Sequence, residues 1–198
     1  MITHETKEPL HLSLMYLEQI IQDGKIQEEI AKPVKSSLEI ALAGLNNFLA
    51  IKRSSVLYEM FDVIQLISMQ INIYKSYLKQ NNIQLDVKSN MQRIIIYSDK
   101  TIMLQILNNL IGYRTKLLKK INKSVKKIDI KIQTKSNFVV ISICDTFEGQ
   151  YQPHSLSFEM SRTMANMIGG KLEMVSSSKQ GNIINFTIPT EGHEKPED

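Results

Sequence analysis

Apolar residues in the N-terminal part of the chain repeat at the spacing of α-helices. Leu10, Leu14, Leu17 and Ile21 are three or four residues apart, and Asp23-Gly24 ends this stripe. A second stripe follows, made of Ile30, Val34, Leu38, Leu42, Leu45 and Leu49. Two amphipathic helices joined by a short turn predict an antiparallel hairpin, which cannot enclose its own apolar stripe. We therefore expect residues 3–53 to pair with a second copy in a four-helix bundle.

The pattern changes near residue 55, where short strands begin to alternate with helices. Alternating or β-branched runs predict strands within 56–63 and at 83–87, 93–97, 127–133, 138–144, 172–175 and 183–188. Helical spacing predicts helices at 63–77, 102–118 and 156–168. Asp99 is placed as the N-cap of the second of these helices, and Gly169-Gly170 ends the third. A closing hairpin is expected across Gly181-Asn182.

These elements predict an α+β protein with an N-terminal helical hairpin and a two-layer α/β sandwich. The hairpin is expected over residues 1–54 and the sandwich over 55–190, with a flexible polar tail at 191–198. The chain has 198 residues, of which 42% are hydrophobic and 22% charged, so disordered and collagen-like classes are excluded. The single cysteine, Cys144, excludes an internal disulfide and fits a reducing compartment.

Targeting and membrane segments are not expected from the sequence. No apolar run approaches the ~18–20 residues that cross a bilayer, and the N-terminus lacks the pattern of a secretory signal. We therefore predict no membrane segment in this chain and a cytoplasmic location, either as a separate protein or as the cytosolic part of a larger sensor.

Basic residues are concentrated between Arg114 and Lys135, where nine Lys or Arg accompany one acid, Asp129. Such a run is found on nucleic-acid or acidic-lipid surfaces, and also at ordinary solvated helix ends. Aromatic residues do not interleave with these charges, as a base-stacking surface would require. We interpret the run as a solvated surface and expect no nucleic acid partner.

Common catalytic and metal-binding patterns are missing. The four histidines, His4, His11, His154 and His193, have no metal-ligand spacing with one another or with Cys144. Neither a Gly-x-Ser-x-Gly nor a Walker pattern occurs. We therefore predict no metal site.

Four motifs occur in a defined order along the chain. They are His4-Glu5-Thr6-Lys7-Glu8-Pro9-Leu10, Gln105-Ile-Leu-Asn-Asn109-Leu110, the strand end Ile141-Ser-Ile-Cys-Asp145 followed by Gly149, and Gly169-Gly170 followed by Gly181-Asn-Ile-Ile-Asn-Phe-Thr-Ile-Pro189. In this order and spacing they resemble the core of sensor histidine kinases along nearly the whole chain. The first motif looks like the family's H-box, and residues 55–189 look like its GHKL-type ATP-binding domain.

The resemblance implies a role for each matching residue. His4 corresponds to the phosphoacceptor and Glu5 to the neighbouring acid or base. Asn109, Asp145 and Gly149 correspond to nucleotide-binding positions, with Asp145 where the family recognises the adenine amino group. The alternative is that these three residues are relics of the fold: a helix polar residue, a strand-end carboxylate and a turn glycine. The resemblance also implies a response-regulator receiver domain as partner and a homodimer through residues 3–53.

Departures from the family pattern are concentrated in the nucleotide site. Tyr113 replaces the asparagine that coordinates Mg²⁺ in the family, although Mg²⁺ prefers carboxylate, carbonyl and water oxygens. Phe147 replaces a glycine that permits close approach to the nucleotide. The segment after Gly149 is much shorter than the family's ATP lid, and Ser155 and Ser157 replace phosphate-binding glycines. We therefore expect ATP-dependent autophosphorylation to be lost and ATP and Mg²⁺ not to serve as cofactors.

Retention of the H-box motif beside an altered ATP site favours a histidine phosphotransferase. In this hypothesis His4 exchanges a phosphoryl group with a receiver-domain aspartate, as in two-component phosphorelays. The alternatives are an inactive pseudo-histidine kinase that acts as a dimerising regulatory module, and an active sensor kinase fragment with an atypical ATP site.

Overall fold

The protein is represented by a computed structural model that describes most of the chain. The described residues are 2–24, 26–27, 31, 34–35, 38, 41–42, 44–45, 49, 55–121, 125–147, 156–177 and 181–191, with backbone alone for 2–9, 156, 176–177 and 181. The chain divides into two compact units, Met1–Arg53 and Ser54–Asp198. Each unit is described by itself below.

The first unit contains helix α1, Ile2–Gln22. It ends in a turn at Asp23 and Gly24, where Gly24 adopts a left-handed φ of 65°. The described residues between 31 and 49 are helical, and Lys35 forms an ion pair of 2.7 Å with Glu18 of α1. Much of the predicted second helix lies outside the described residues, so the hairpin and its dimer stay predictions.

The second unit alternates strands and helices as the pattern predicts. Its elements are β1 (Glu59–Asp62), α2 (Val63–Gln80), β2 (Ile83–Ser89), β3 (Ile95–Ser98), α3 (Lys100–Lys120), β4 (Lys126–Lys135), β5 (Phe138–Asp145), α4 (Leu156–Met167), β6 (Lys171–Ser177) and β7 (Gly181–Pro189). The predicted α+β class is confirmed. Among the helices of this unit, the largest difference between a predicted and an observed end is at α2, which ends at Gln80, three residues beyond the predicted Tyr77.

The strands form a five-stranded sheet in the order β2-β4-β5-β7-β6 and a two-stranded sheet of β1 and β3. β2 and β4 are parallel, whereas the other neighbours in the large sheet are antiparallel. Alternate residues of the central strands are buried and form the core face: they are Ile128, Ile130, Ile132, Val139, Ile141, Ile143, Ile184, Phe186 and Ile188. Each such side chain contributes about 1.5–3 kcal/mol of burial free energy, so this face stabilises the sheet against the helices.

Helix ends in this unit follow the predicted capping chemistry. Asp99 is the N-cap of α3, and its carboxylate accepts from the Ile102 amide at 3.0 Å. The same carboxylate accepts from the Leu57 amide at 2.9 Å, so it also fixes the chain that leads into β1. Gly169 follows α4 with a left-handed φ of 70°, as the glycine pair predicts.

The predicted hairpin turn at Gly181-Asn182 is wrong. Both residues belong to β7, where Gly181 pairs with Ser177 and Asn182 with Ser176 of β6. The connection falls at 178–180, outside the described residues. Asn182 is buried in the strand, where its carbonyl oxygen accepts a hydrogen bond from Arg114 and its side chain donates one to Phe147.

Candidate functional site

The site lies where β5 ends and β7 begins, beneath helix α3. β5 and β7 are neighbours, with Cys144 opposite Ile183, so Asp145 and Asn182 come together at one edge of the sheet. Both residues are buried. The sequence prediction that Asp145 ends a strand is therefore confirmed, and its carboxylate points into the interior.

Arg114 of α3 supplies the cation that faces Asp145. Its side chain is fully buried, and its Nη1 forms an ion pair with Asp145 Oδ2 and donates to the Asn182 carbonyl oxygen at 3.1 Å. Sequence analysis places Arg114 in a solvated basic run, and this interpretation is wrong for Arg114. It lies on the same face of α3 as buried Ile111 and Leu118, so the helix directs it into the core.

Two further hydrogen bonds close these groups into a ring. The Phe147 amide donates to Asp145 Oδ1 at 2.8 Å, and Asn182 Nδ2 donates to the Phe147 carbonyl oxygen at 3.3 Å. Arg114, Asp145, Phe147 and Asn182 are called the Arg114 ring below. The ring satisfies both oxygens of the carboxylate from within the protein, as a buried charge requires.

Neighbouring titratable groups are held in their neutral forms. Burial raises the pKa of the Cys144 thiol, with the nearby Asp145 carboxylate adding to the effect and Arg114 opposing it. Burial likewise raises the pKa of Tyr113, again opposed by Arg114. A raised pKa makes Cys144 a poor nucleophile, and a protonated phenol makes Tyr113 a poor cation ligand.

Asn109 is part of a second polar contact, between α3 and α4. Its Nδ2 donates to Ser161 Oγ at 3.1 Å, and that hydroxyl donates to the Ser157 carbonyl oxygen at 2.8 Å. Ser161 is fully buried. The amide of Asn109 therefore joins two helices of the fold.

The preceding residue, Asn108, joins α3 to α2. Its Oδ1 accepts from Tyr74 Oη at 2.6 Å and from Gln70 Nε2 at 3.1 Å. Burial raises the pKa of Tyr74 to about 12. Gly112 allows this contact, because a Cβ there would lie 2.9 Å from Tyr74 Oη.

Comparison with solved structures gives the fold. Full-length ShkA in complex with AMPPNP matches over 99% of this chain and 46% of its own, with TM-score 0.72 and 16% identity. The histidine kinase ThkA in complex with the response regulator protein TrrA matches over 96% of this chain and 61% of its own, with TM-score 0.68 and 16% identity. The histidine kinase AdeS of Acinetobacter baumannii matches over 95% and 98%, with TM-score 0.65 and 17% identity.

The fold is that of a histidine kinase core. No protein-family model matches the sequence, and neither does any curated protein. The likeness therefore rests on three-dimensional structure.

Within the histidine kinase fold, the predicted site residues fall in separate places. Asp145 belongs to the Arg114 ring, whereas Asn109 belongs to the contact between α3 and α4. His4 and Glu5 lie in the first turn of α1, where only the backbone is described. Gly149 lies outside the described residues.

The carboxylate at the position that the resemblance assigns to adenine is enclosed by the protein in this structure. The resemblance assigns Asp145 to the adenine amino group, yet its carboxylate is buried and accepts from Arg114 and from the Phe147 amide. The side chain of Asp145 has no exposed surface, so an amino group of a ligand reaches this carboxylate only if the residues around it move. The ring thus encloses the acceptor that adenine recognition would need.

Sequence reasoning missed Arg114 and Asn182 as site residues. A pattern for Arg114 does exist, since it lies three residues after Ile111 and four before Leu118, on the apolar face of α3. A basic residue on a buried face requires a buried acid, and Asp145 at the end of an apolar strand is the matching candidate. Asn182 carried no comparable indication.

Two absences apply to the described part of the chain alone. Its His, Cys, Asp and Glu residues form no group of three or more that could hold a metal ion. None of its helices has both the length and the hydropathy needed to traverse a bilayer.

Proposed function

We propose that this chain relays a phosphoryl group between His4 and the aspartate of a receiver domain, without taking phosphate from ATP. The observation that supports this proposal is the Arg114 ring in a histidine kinase fold. The ring engages the carboxylate that would recognise adenine, and the sequence motif that resembles the H-box lies in the first turns of α1.

Loss of ATP use follows from the requirements of the reaction. Phosphoryl transfer from ATP depends on positioning the nucleotide and neutralising the charge on its phosphates. Asp145 is engaged by Arg114, and Tyr113 stands where a metal ligand would be needed. Both positioning and charge neutralisation are therefore weakened in this chain.

A relay through His4 needs neither of them. The neutral imidazole attacks the phosphorus of the receiver's acyl phosphate, so a P–N bond forms as the P–O bond to the aspartate breaks. The aspartate leaves as a carboxylate, and Glu5 accepts the proton that the imidazole gives up. The reverse transfer regenerates the acyl phosphate. The complex of ThkA with the response regulator TrrA supports a receiver domain as the partner of this fold.

A second copy of the chain is the partner that we propose for α1. Four large apolar side chains on this helix are exposed in the single chain: Leu12, Met15, Tyr16 and Ile20. They lie at positions i, i+3, i+4 and i+8, which places them on one face that a helix of a second copy would cover. Sedimentation of the full chain tests this part of the proposal, because a monomer at high concentration would contradict it.

The relay is tested by following phosphate onto His4. The full chain is incubated with phosphorylated receiver domains and, separately, with labelled Mg-ATP. His4→Gln is the test variant, and His11→Gln is the matched control on the same helix, since His11 is exposed. We expect acid-labile label from a receiver, lost in His4→Gln and retained in His11→Gln.

Other outcomes favour the alternatives. Label from ATP would identify an atypical kinase and contradict the proposed consequence of the Arg114 ring. Label from neither source, with a panel that covers the receivers of the source genome, would favour the pseudokinase. In that case the Arg114 ring would retain only its structural role.

A further inference from the structure

A basic surface with an apolar stripe lies on α2 and α3, away from the Arg114 ring. Over their described lengths, neither helix contains an Asp or a Glu. Five lysines are exposed on the last two turns of the two helices: Lys75, Lys79, Lys116, Lys119 and Lys120. Lysines near a helix C-terminus complement the helix dipole. The dipole does not account for the lack of Asp and Glu along the whole length of both helices.

The two helices lie side by side, with their C-termini at the same end. Gln70 and Tyr74 near the middle of α2 contact Asn108 of α3, and Lys119 Nζ lies 5.8 Å from the centre of the Tyr77 ring. Residues further along α2 thus contact residues further along α3, so the two helices run in the same direction. The lysines at the two C-termini therefore belong to one end of the unit.

An apolar stripe runs along α2 toward this end. Met69 is 54% exposed and Ile73 is 71% exposed, and Tyr77 follows four residues later. Residues four apart lie on one helix face. Since Lys119 covers the ring of Tyr77, this stripe lies on the flank of α2 that faces α3.

We infer that this flank binds an amphipathic helix of an acidic protein. The apolar face of the bound helix would cover Met69 and Ile73, and the carboxylates of that helix would face Lys116, Lys119 and Lys120. A second copy of this chain is disfavoured, because it would bring two lysine clusters together. The surface lies in the second unit and does not depend on the proposed relay through His4.

The shape of α2 disfavours a lipid bilayer and a nucleic acid. Between the stripe and Lys75 the crest of the helix carries Asn72 and Ser76, so a flat membrane would meet neutral polar groups first. A nucleic acid would gain nothing from exposed Met69 and Ile73, and the Tyr77 ring is already covered by Lys119.

The experiment uses the full chain and a labelled helical peptide with leucines at i, i+3, i+4 and i+7 and glutamates elsewhere. Binding is followed by fluorescence anisotropy. We expect the affinity to fall about tenfold in Ile73→Ser and in the double variant Lys116→Glu/Lys119→Glu, as for a central anchor of an interface. The matched control, Lys75→Glu/Lys79→Glu, changes the same charge on the other flank and should alter the affinity less than twofold.

Several results would overturn the inference. They are an affinity unchanged in Ile73→Ser and in the second stripe variant, Met69→Ser, equal binding of a peptide with lysines in place of glutamates, or no peptide binding. Tighter binding to phosphatidylserine vesicles or to duplex DNA than to the peptide would also overturn it. Circular dichroism of each variant verifies folding, which exposed positions are expected to preserve.

Discussion

Replacing Arg114 with methionine tests the energetics of the Arg114 ring most directly. The substitution keeps an unbranched side chain of similar length but removes the cation from a fully buried site. Asp145 then loses its guanidinium partner inside the core, and the Asn182 carbonyl oxygen loses a donor. Breaking one side of a buried ion pair costs about 3–5 kcal/mol of the free energy of unfolding. This is a large part of the ~5–15 kcal/mol that stabilises a domain.

Urea unfolding followed by circular dichroism at 222 nm measures this cost, because the chain has no tryptophan. The matched control is Lys116→Met, which removes an exposed charge from the same helix and should change stability by less than ~0.5 kcal/mol. Adding Asp145→Asn to Arg114→Met removes the buried charge and should restore part of the loss, and the single variant Asp145→Asn completes the double-mutant cycle. A loss in Arg114→Met within ~1 kcal/mol of the control would refute the buried ion pair.

Three further variants test the contacts around the site. Ser161→Ala removes the hydroxyl between α3 and α4 and should cost about 1–3 kcal/mol, whereas Thr163→Ala, with its exposed hydroxyl, should cost less than ~0.5 in urea unfolding. Gly170→Ala should lower the unfolding free energy by about 1–3 kcal/mol, since its Cβ would lie 2.8 Å from a β7 carbonyl oxygen; an unchanged urea midpoint would contradict this. Burial raises the pKa of Tyr74 from 10.0 to about 12, so the folded state holds the phenol proton more tightly than the unfolded state does. The resulting stabilisation is complete below pH 10 and is lost as the pH rises through 12. The loss approaches roughly 2.7 kcal/mol and should be missing in Tyr74→Phe, whereas equal pH profiles would exclude it.

Local patterns account for what the sequence predicts correctly in the second unit. The alternation of Ile128, Ile130 and Ile132 defines a strand with one buried face, and the structure has β4 there. Asp99 precedes an apolar helical stripe and caps α3 as expected. Each of these features depends on residues a few positions apart, so a single sequence contains the information.

Contacts between distant residues could not be predicted in this way. Arg114 and Asp145 are 31 positions apart, and within its own neighbourhood Arg114 reads as one of many basic residues. The short strand β1 pairs with β3, and no local sequence pattern indicates that these two strands are partners. Gly181-Asn182 has the composition of a turn, but tertiary contacts to Phe147 and Arg114 hold Asn182 in a strand. Tyr113 and Phe147 are departures from the family pattern that the sequence shows directly, whereas the ion pair of Arg114 with Asp145 appears only in the structure.

The Arg114 ring also has a consequence for the order of folding. Asp145 ends the β4–β5 hairpin and Asn182 lies in the β6–β7 hairpin, so Arg114 contacts groups from two hairpins that form separately. Hairpins form in about 1–10 μs, and docking both of them against α3 must come later. We therefore predict that the guanidinium is enclosed late in folding, after both hairpins have docked. The stability lost in Arg114→Met should appear almost entirely as faster unfolding, with a φ-value of about 0–0.3.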